Sequence, residues 1–194
     1  MIEPHAPGAR TASARTRPEV LVFLGVSLDG FMAGPGGDLA WLSVVETSPP
    51  EDTGYDALMA RVDTVVLGRN TYDVMIGFPQ WPLEGKRVIV LTRRPIAPMN
   101  GETTFAGPLA DLVDALGREG CRAIYLDGGQ AVRQGLQAGL VDELTLSWVP
   151  MTLGEGLPLF GPEVLRTAWK MTRSRAFGSG LVQAAYVPVR SATS

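Results

Sequence analysis

Val65-Val66-Leu67-Gly68-Arg69-Asn70-Thr71 is an apolar run that breaks at a glycine and delivers a guanidinium, an amide and a hydroxyl where a helix is expected to begin. Backbone N–H groups at a helix N-terminus have no partner within the helix and face the positive end of its dipole, so an anion is stabilised there. A second such junction stands at Ile124-Tyr125-Leu126-Asp127-Gly128-Gly129-Gln130. Two of them in one small chain suggest a ligand with several phosphates, and a dinucleotide fits best.

Outward from these junctions, strand-like and helix-like stretches alternate. Val20 to Val26 is almost continuously apolar, as a strand buried on both faces requires, and similar runs recur at Thr64 to Leu67, Arg87 to Leu91 and Ala123 to Leu126. The clearest helical spacing puts Leu109, Leu112, Val113 and Leu116 on one face, after Gly107-Pro108 and before a stop near Gly117. The alternation predicts a mostly parallel sheet covered on both sides. The last third differs: Glu143 to Val149 is followed by a Gly/Pro-rich loop over 151–162 and two strand-like runs, Ala168 to Phe177 and Leu181 to Val189, joined at Gly178-Ser179-Gly180. These predict an antiparallel hairpin at the sheet edge.

With 194 residues, 45% of them hydrophobic, the chain suits one domain with a sizeable core. Residues 1–18 are read as a disordered tail and 19–190 as the domain. A net charge of −3 argues against a sequence-independent hold on nucleic acid. No apolar run reaches the roughly 20 residues of a membrane span, and the tail has no secretory apolar region, so the cytoplasm is the expected compartment. Cys121 is the single cysteine and His5 the single histidine, which leaves no disulfide framework, His-based triad or His-ligated metal centre.

Neither glycine junction matches G-x-G-x-x-G, and no G-x-x-x-x-G-K-[ST] loop is present, so a standard Rossmann domain and a P-loop enzyme both lose ground. Three candidate anion contacts remain at successive strand ends: Gly68-Arg69-Asn70-Thr71, Thr92-Arg93-Arg94, and Gly128-Gly129 with Gln130. In an open α/β sheet such ends line one crevice. Several cationic groups would suit an additional 2′-phosphate, which favours NADP(H) over NAD(H). Each site alone reads equally as a strand-ending glycine beside a solvated arginine; the functional reading rests on their coincidence.

The first strand leaves through a glycine-rich loop that carries Asp29 and Asp38 and enters Leu39-Ala40-Trp41-Leu42. A carboxylate among those apolar residues is expected to be partly desolvated, with a raised pKa suited to proton donation. Asp38 reads equally as a cap of the following turn and Asp29 as an ordinary Asp-Gly turn residue.

Together Ser27-Leu-Asp-Gly30, Gly37-Asp-Leu-Ala-Trp-Leu42, Leu67-Gly-Arg-Asn-Thr-Tyr72, Val90-Leu-Thr-Arg93, Asp127-Gly-Gly129, Gly139-Leu-Val-Asp-Glu-Leu144 and Pro158-Leu-Phe160 resemble the dihydrofolate reductase-like superfamily, and within it the riboflavin-biosynthesis reductase (RibD C-terminal) branch. The resemblance runs in order from about Val20 to Val189. It implies a three-layer α/β sandwich around a mainly parallel sheet of about eight strands, NADPH as cofactor, a small heterocyclic substrate and a homodimer. Arg69 and Thr71 would hold the adenosine 2′-phosphate and pyrophosphate. Thr92, Arg93 and Arg94 would flank the adenosine end, Gly128 and Gly129 would approach the pyrophosphate closely for want of a Cβ, and Val26 and Ala33 would lie against the nicotinamide. Asp38 falls where folate reductases carry the acid that anchors the pterin, and Ser147 where they keep a hydroxyl bonded to that acid. Trp41 and Asp29 would border the substrate, and Phe78, in Phe78-Pro-Gln-Trp81, would cover it. The expected reaction is hydride transfer from NADPH to a C=N bond of a pteridine, pyrimidine or related ring. The alternative is a non-catalytic NADP(H)-binding or ligand-sensing dimer of the same fold. Val132 stands where folate reductases have an aromatic residue, and Pro35-Gly36-Gly37 reshapes the first loop. Both departures bear on substrate rather than cofactor.

Overall fold

The computed structural model describes residues 17–190. The expected parallel strands form β1 (Glu19–Ser27), β3 (Thr64–Gly68), β4 (Arg87–Leu91) and β6 (Ala123–Asp127), and β7 (Glu143–Val149) joins them. A short β5 (Thr103–Phe105) extends the parallel set, and the C-terminal hairpin is β9 (Trp169–Ala176) with β10 (Val182–Pro188). The eight strands run in the order β5-β4-β3-β6-β1-β7-β10-β9, parallel through β7 and antiparallel from β10 onward. A separate ribbon pairs β2 (Phe31–Ala33) with β8 (Leu157–Pro158). Neither ribbon strand is legible in the sequence, since three and two residues carry no alternation to read.

Side-chain alternation divides the core into two layers. Val20, Val22, Val66, Ile124 and Leu126 face α3 (Leu109–Arg118) and α4 (Gly129–Gln137), whereas Leu21, Val65, Leu67, Ala123 and Tyr125 face α1 (Tyr55–Arg61) and α2 (Arg69–Met75). This is the three-layer arrangement expected. α3 begins right after Pro108, as the fixed φ of proline at a helix start favours, and buries the predicted Leu109, Leu112, Val113 and Leu116.

The strand that ends at Gly68 feeds a helix on one face, and its neighbour ending at Asp127 feeds a helix on the other. Adjacent parallel strands whose helices part to opposite faces leave a crevice beyond their carboxyl ends. Both glycine junctions therefore stand at one topological switch point.

Residues 1–16 of the expected tail lie outside the described residues. Arg17, also assigned to that tail, already belongs to the fold: its guanidinium makes two bonds to Asp142, at 2.8 and 3.0 Å. Arg190 reaches the same carboxylate, and Val20 N–H donates to it. One buried acid thus ties both ends of the domain at the starts of β1 and β7, opposite the strand ends that form the crevice.

Candidate active site

The crevice opens into a cavity of about 530 Å³. α2 begins at Gly68 and α4 at Gly128, both without a side-chain cap, and Gly68 to Thr71 and Gly128 to Ala131 line the cavity. Uncapped N-termini leave backbone donors for an anionic ligand. Both sequence-predicted junctions are thus brought together, along with Ala33 from β2.

The glycines have a packing reason of their own. A Cβ on Gly128, whose φ is +90°, would collide with Thr71 Oγ1 and lie 3.2 Å from Gly68 N. A Cβ on Gly129 would collide with Leu157 and stand 3.1 Å from the end of Met32. At both positions a side chain would collide with the protein itself, so the glycines let α4 pack against β3 and the β2–β8 ribbon while their backbone lines the cavity.

Arg69 is already engaged. Its Nε donates to Asp73 at 2.7 Å and its Nη1 to the Pro95 carbonyl at 3.0 Å. The guanidinium staples α2 to the loop after β4. In that loop Thr92 Oγ1 accepts from Arg94 N–H at 3.0 Å, and the exposed Arg93 and Arg94 have no ion pair among the described residues. Thr92, Arg93 and Arg94 stand beyond the cavity wall, which ends in this strand at Leu91.

Apolar side chains form the other half of the cavity. Leu39 and Leu42, from a 3-10 turn and its entry, and Val74, Met75 and Phe78 at the end of α2 border it, above Phe23 and Gly25 of β1. Phe78 is 49% exposed, so its ring is presented to the cavity rather than consumed by the core. Leu42 Cδ2 would stand 3.0 Å from a Cβ on Gly25, so glycine keeps this floor low.

Several expected site residues stand elsewhere. Asp38 is exposed, not desolvated: its Oδ1 accepts from Ala40 N–H at 3.0 Å, and it caps the turn. Ser147 is buried on β7 and does not bond Asp38; its Oγ accepts from Gln183 Nε2 at 3.0 Å, across the β7–β10 ladder. Val26 is not on the cavity wall but buried in the α3/α4 core; of the β1 residues on that face Leu24 is the one that reaches the cavity. Trp41 packs with Val149, Phe177 and Leu181, its Nε1 buried without a partner, and its neighbour Leu42 reaches the cavity in its stead. Asp29 is not on the cavity wall: it accepts from Ser27 Oγ and from the N–H groups of Leu153 and Gly154, the last at 2.7 Å. Those bonds, Ser27's foremost, hold its carboxyl down at about 2.

The carboxyl that does line the cavity is Asp127. Its Oδ1 accepts from Gly128 N–H at 2.7 Å, and burial pushes its pKa up against that bond. Beside it the Tyr125 hydroxyl donates to the Phe23 carbonyl at 3.0 Å, and the Tyr125 ring meets Tyr55 edge-on at 6.0 Å. The sequence offered a signal for this residue, an acid at the end of an apolar strand before two glycines. Leu157, from a long loop, offered none. Among the described residues no group of His, Cys, Asp and Glu could hold a metal, and no helix is long and apolar enough to cross a membrane.

The chain is 32% identical over 172 residues to the uncharacterized protein YwjB of Bacillus subtilis, covering 87% of this chain and 97% of that one. A solved structure from Shewanella sp. PV-4, named for riboflavin biosynthesis, is 34% identical, with a TM-score of 0.82 over 89% of this chain and 99% of the other. The riboflavin biosynthesis reductase Rib7 of Saccharomyces cerevisiae shares the fold at 15% identity and a TM-score of 0.63, over 92% of this chain and 93% of its own. The sequence model of the RibD C-terminal domain matches residues 18–183, and the chain belongs to that family.

Proposed function

We propose that the protein is an NADPH-dependent reductase of a flat heterocycle, a pyrimidine, pteridine or related ring. The observation that carries this reading is the cavity itself: two helix N-termini without side-chain caps meet at the switch point on one side, and apolar side chains, Leu39, Leu42, Val74 and Phe78 among them, line the other. The first half suits a dinucleotide's phosphates and the second a planar ring. Bound NADPH would supply a hydride to a C=N carbon; the chain's part is orientation, exclusion of water and the proton.

Asp127 is the group we assign to that proton. It lines the cavity, and burial favours its protonated form, so it can hold a proton and release it to the ring nitrogen. Asp38 is left to shape the loop. A second reading, a nucleotide-binding protein without turnover, draws on the same displacement of Asp38 and on the closed Ser147–Gln183 pair.

Thermal unfolding with NADPH, NADH and FMN in parallel tests the cofactor, since a ligand at about 100 times its dissociation constant adds roughly 2.7 kcal/mol. A rise with NADPH that Thr71→Val reduces supports the reading, and no rise overturns it. Oxidation of NADPH with a panel of pyrimidines and pteridines then separates the two readings, the reductase losing turnover in Asp127→Asn and keeping it in Asp38→Asn.

A further inference from the structure

Arg69 is the one arginine on the cavity wall, yet two of its three guanidinium nitrogens are engaged within the protein. Asp73, one helical turn on, receives Nε through both carboxylate oxygens at 2.7 and 2.9 Å, and Pro95 O receives Nη1. Nη2 is the nitrogen left over. A phosphate arriving at that edge meets a guanidinium whose charge is already balanced by a carboxylate.

We propose that Asp73 is a specificity-determining residue of the cofactor site: by pairing with Arg69 it lowers the affinity of the cavity for nucleotides that carry an extra phosphate monoester. The inference rests on the nucleotide reading above. Its physical basis is competition of like charges for one cation. The carboxylate and a phosphate dianion both seek the guanidinium, and the phosphate must share it against the carboxylate's repulsion. The pair is partly solvated, Arg69 at 24% and Asp73 at 42% side-chain exposure, so the effect is modest and screened by salt.

Asn at position 73 keeps an acceptor for Nε and removes only the charge, and Pro95 O still fixes Nη1. Dissociation constants for NADPH and NADH, read by fluorescence at low salt, are therefore expected to separate: Asp73→Asn tightens NADPH about two- to five-fold, the scale of an exposed ion pair, and leaves NADH unchanged. The gain disappears at high salt and in the double variant with Arg69→Ala. Asp73→Ala, which also removes the acceptor, tells charge from orientation. If Asn fails to tighten NADPH, or both variants weaken it, Asp73 is an orienting group and the proposal is overturned while the nucleotide reading stands. If wild type and variants all fail to bind either nucleotide, the nucleotide reading itself falls.

Discussion

The hydroxyl of Thr71 occupies the place where a side chain on Gly128 would stand, and so locks the start of α2 to the start of α4. The two helices leave neighbouring strands on opposite faces, and this contact draws their N-termini into one cavity. Gly128 also has φ +90° and ψ 135°, which side-chain-bearing residues rarely adopt. Gly128→Ala is expected to lose about 1–3 kcal/mol from the backbone alone, more with the clash, and to abolish nucleotide binding. Chemical denaturation and an NADPH titration check the two effects separately.

Asp29 joins the first loop to residues Leu153 and Gly154. Its folded pKa, about 2, lies below the ordinary 3.8, so its contribution is present above the ordinary value and is lost as the pH falls from about 4 toward 2. Asp29→Asn removes that window. The difference in melting temperature between wild type and variant is expected to be largest at pH 5 and to shrink by pH 2, in a scan of both proteins.

Asp127 has the opposite sign. Burial raises its folded pKa, so its stabilising contribution is complete below the ordinary value of 3.8 and is lost as the pH rises through the folded one. Asp127→Asn, which retains an acceptor for Gly128 N–H, is expected to gain on wild type between pH 4 and pH 8 while losing turnover. Equal melting differences at both pH values would contradict a half-buried carboxyl that is costly to ionise.

What the sequence revealed follows how local each signal is. Val20 to Val26 and Arg87 to Leu91 are strands buried on both faces, and their continuous apolar runs say so without reference to partners. The two glycine junctions were legible for the same reason: each is written in consecutive residues. Asp38 and Ser147 were not, because their roles depend on a loop path and a cross-strand partner. Pro35 to Gly37 form a tight 3-10 turn, after which Asp38 caps Ala40 outside the cavity, and Gln183, thirty-six residues from Ser147, takes the hydroxyl. Leu157 reaches the cavity only because Gly129 lets it in. Such pairings are set by tertiary packing and leave no mark at either residue alone.

Asp142 is 8% exposed and receives Arg17, Arg190 and the Val20 amide. Removing the carboxylate leaves a buried amide without its acceptor and two guanidiniums without their counter-charge, whereas removing one arginine leaves the other in place. Asp142→Ala is therefore expected to cost about 2–4 kcal/mol, short of the full penalty for a buried pair because Arg190 is 54% exposed. Arg190→Ala should cost under about 1 kcal/mol. Since this node lies at the starts of β1 and β7, the ends of the parallel strands opposite the cavity, nucleotide affinity in Asp142→Ala should match wild type wherever the variant is folded. Urea unfolding of the three proteins, with an NADPH titration below the transition, checks both the ranking and the separation of this clamp from the site.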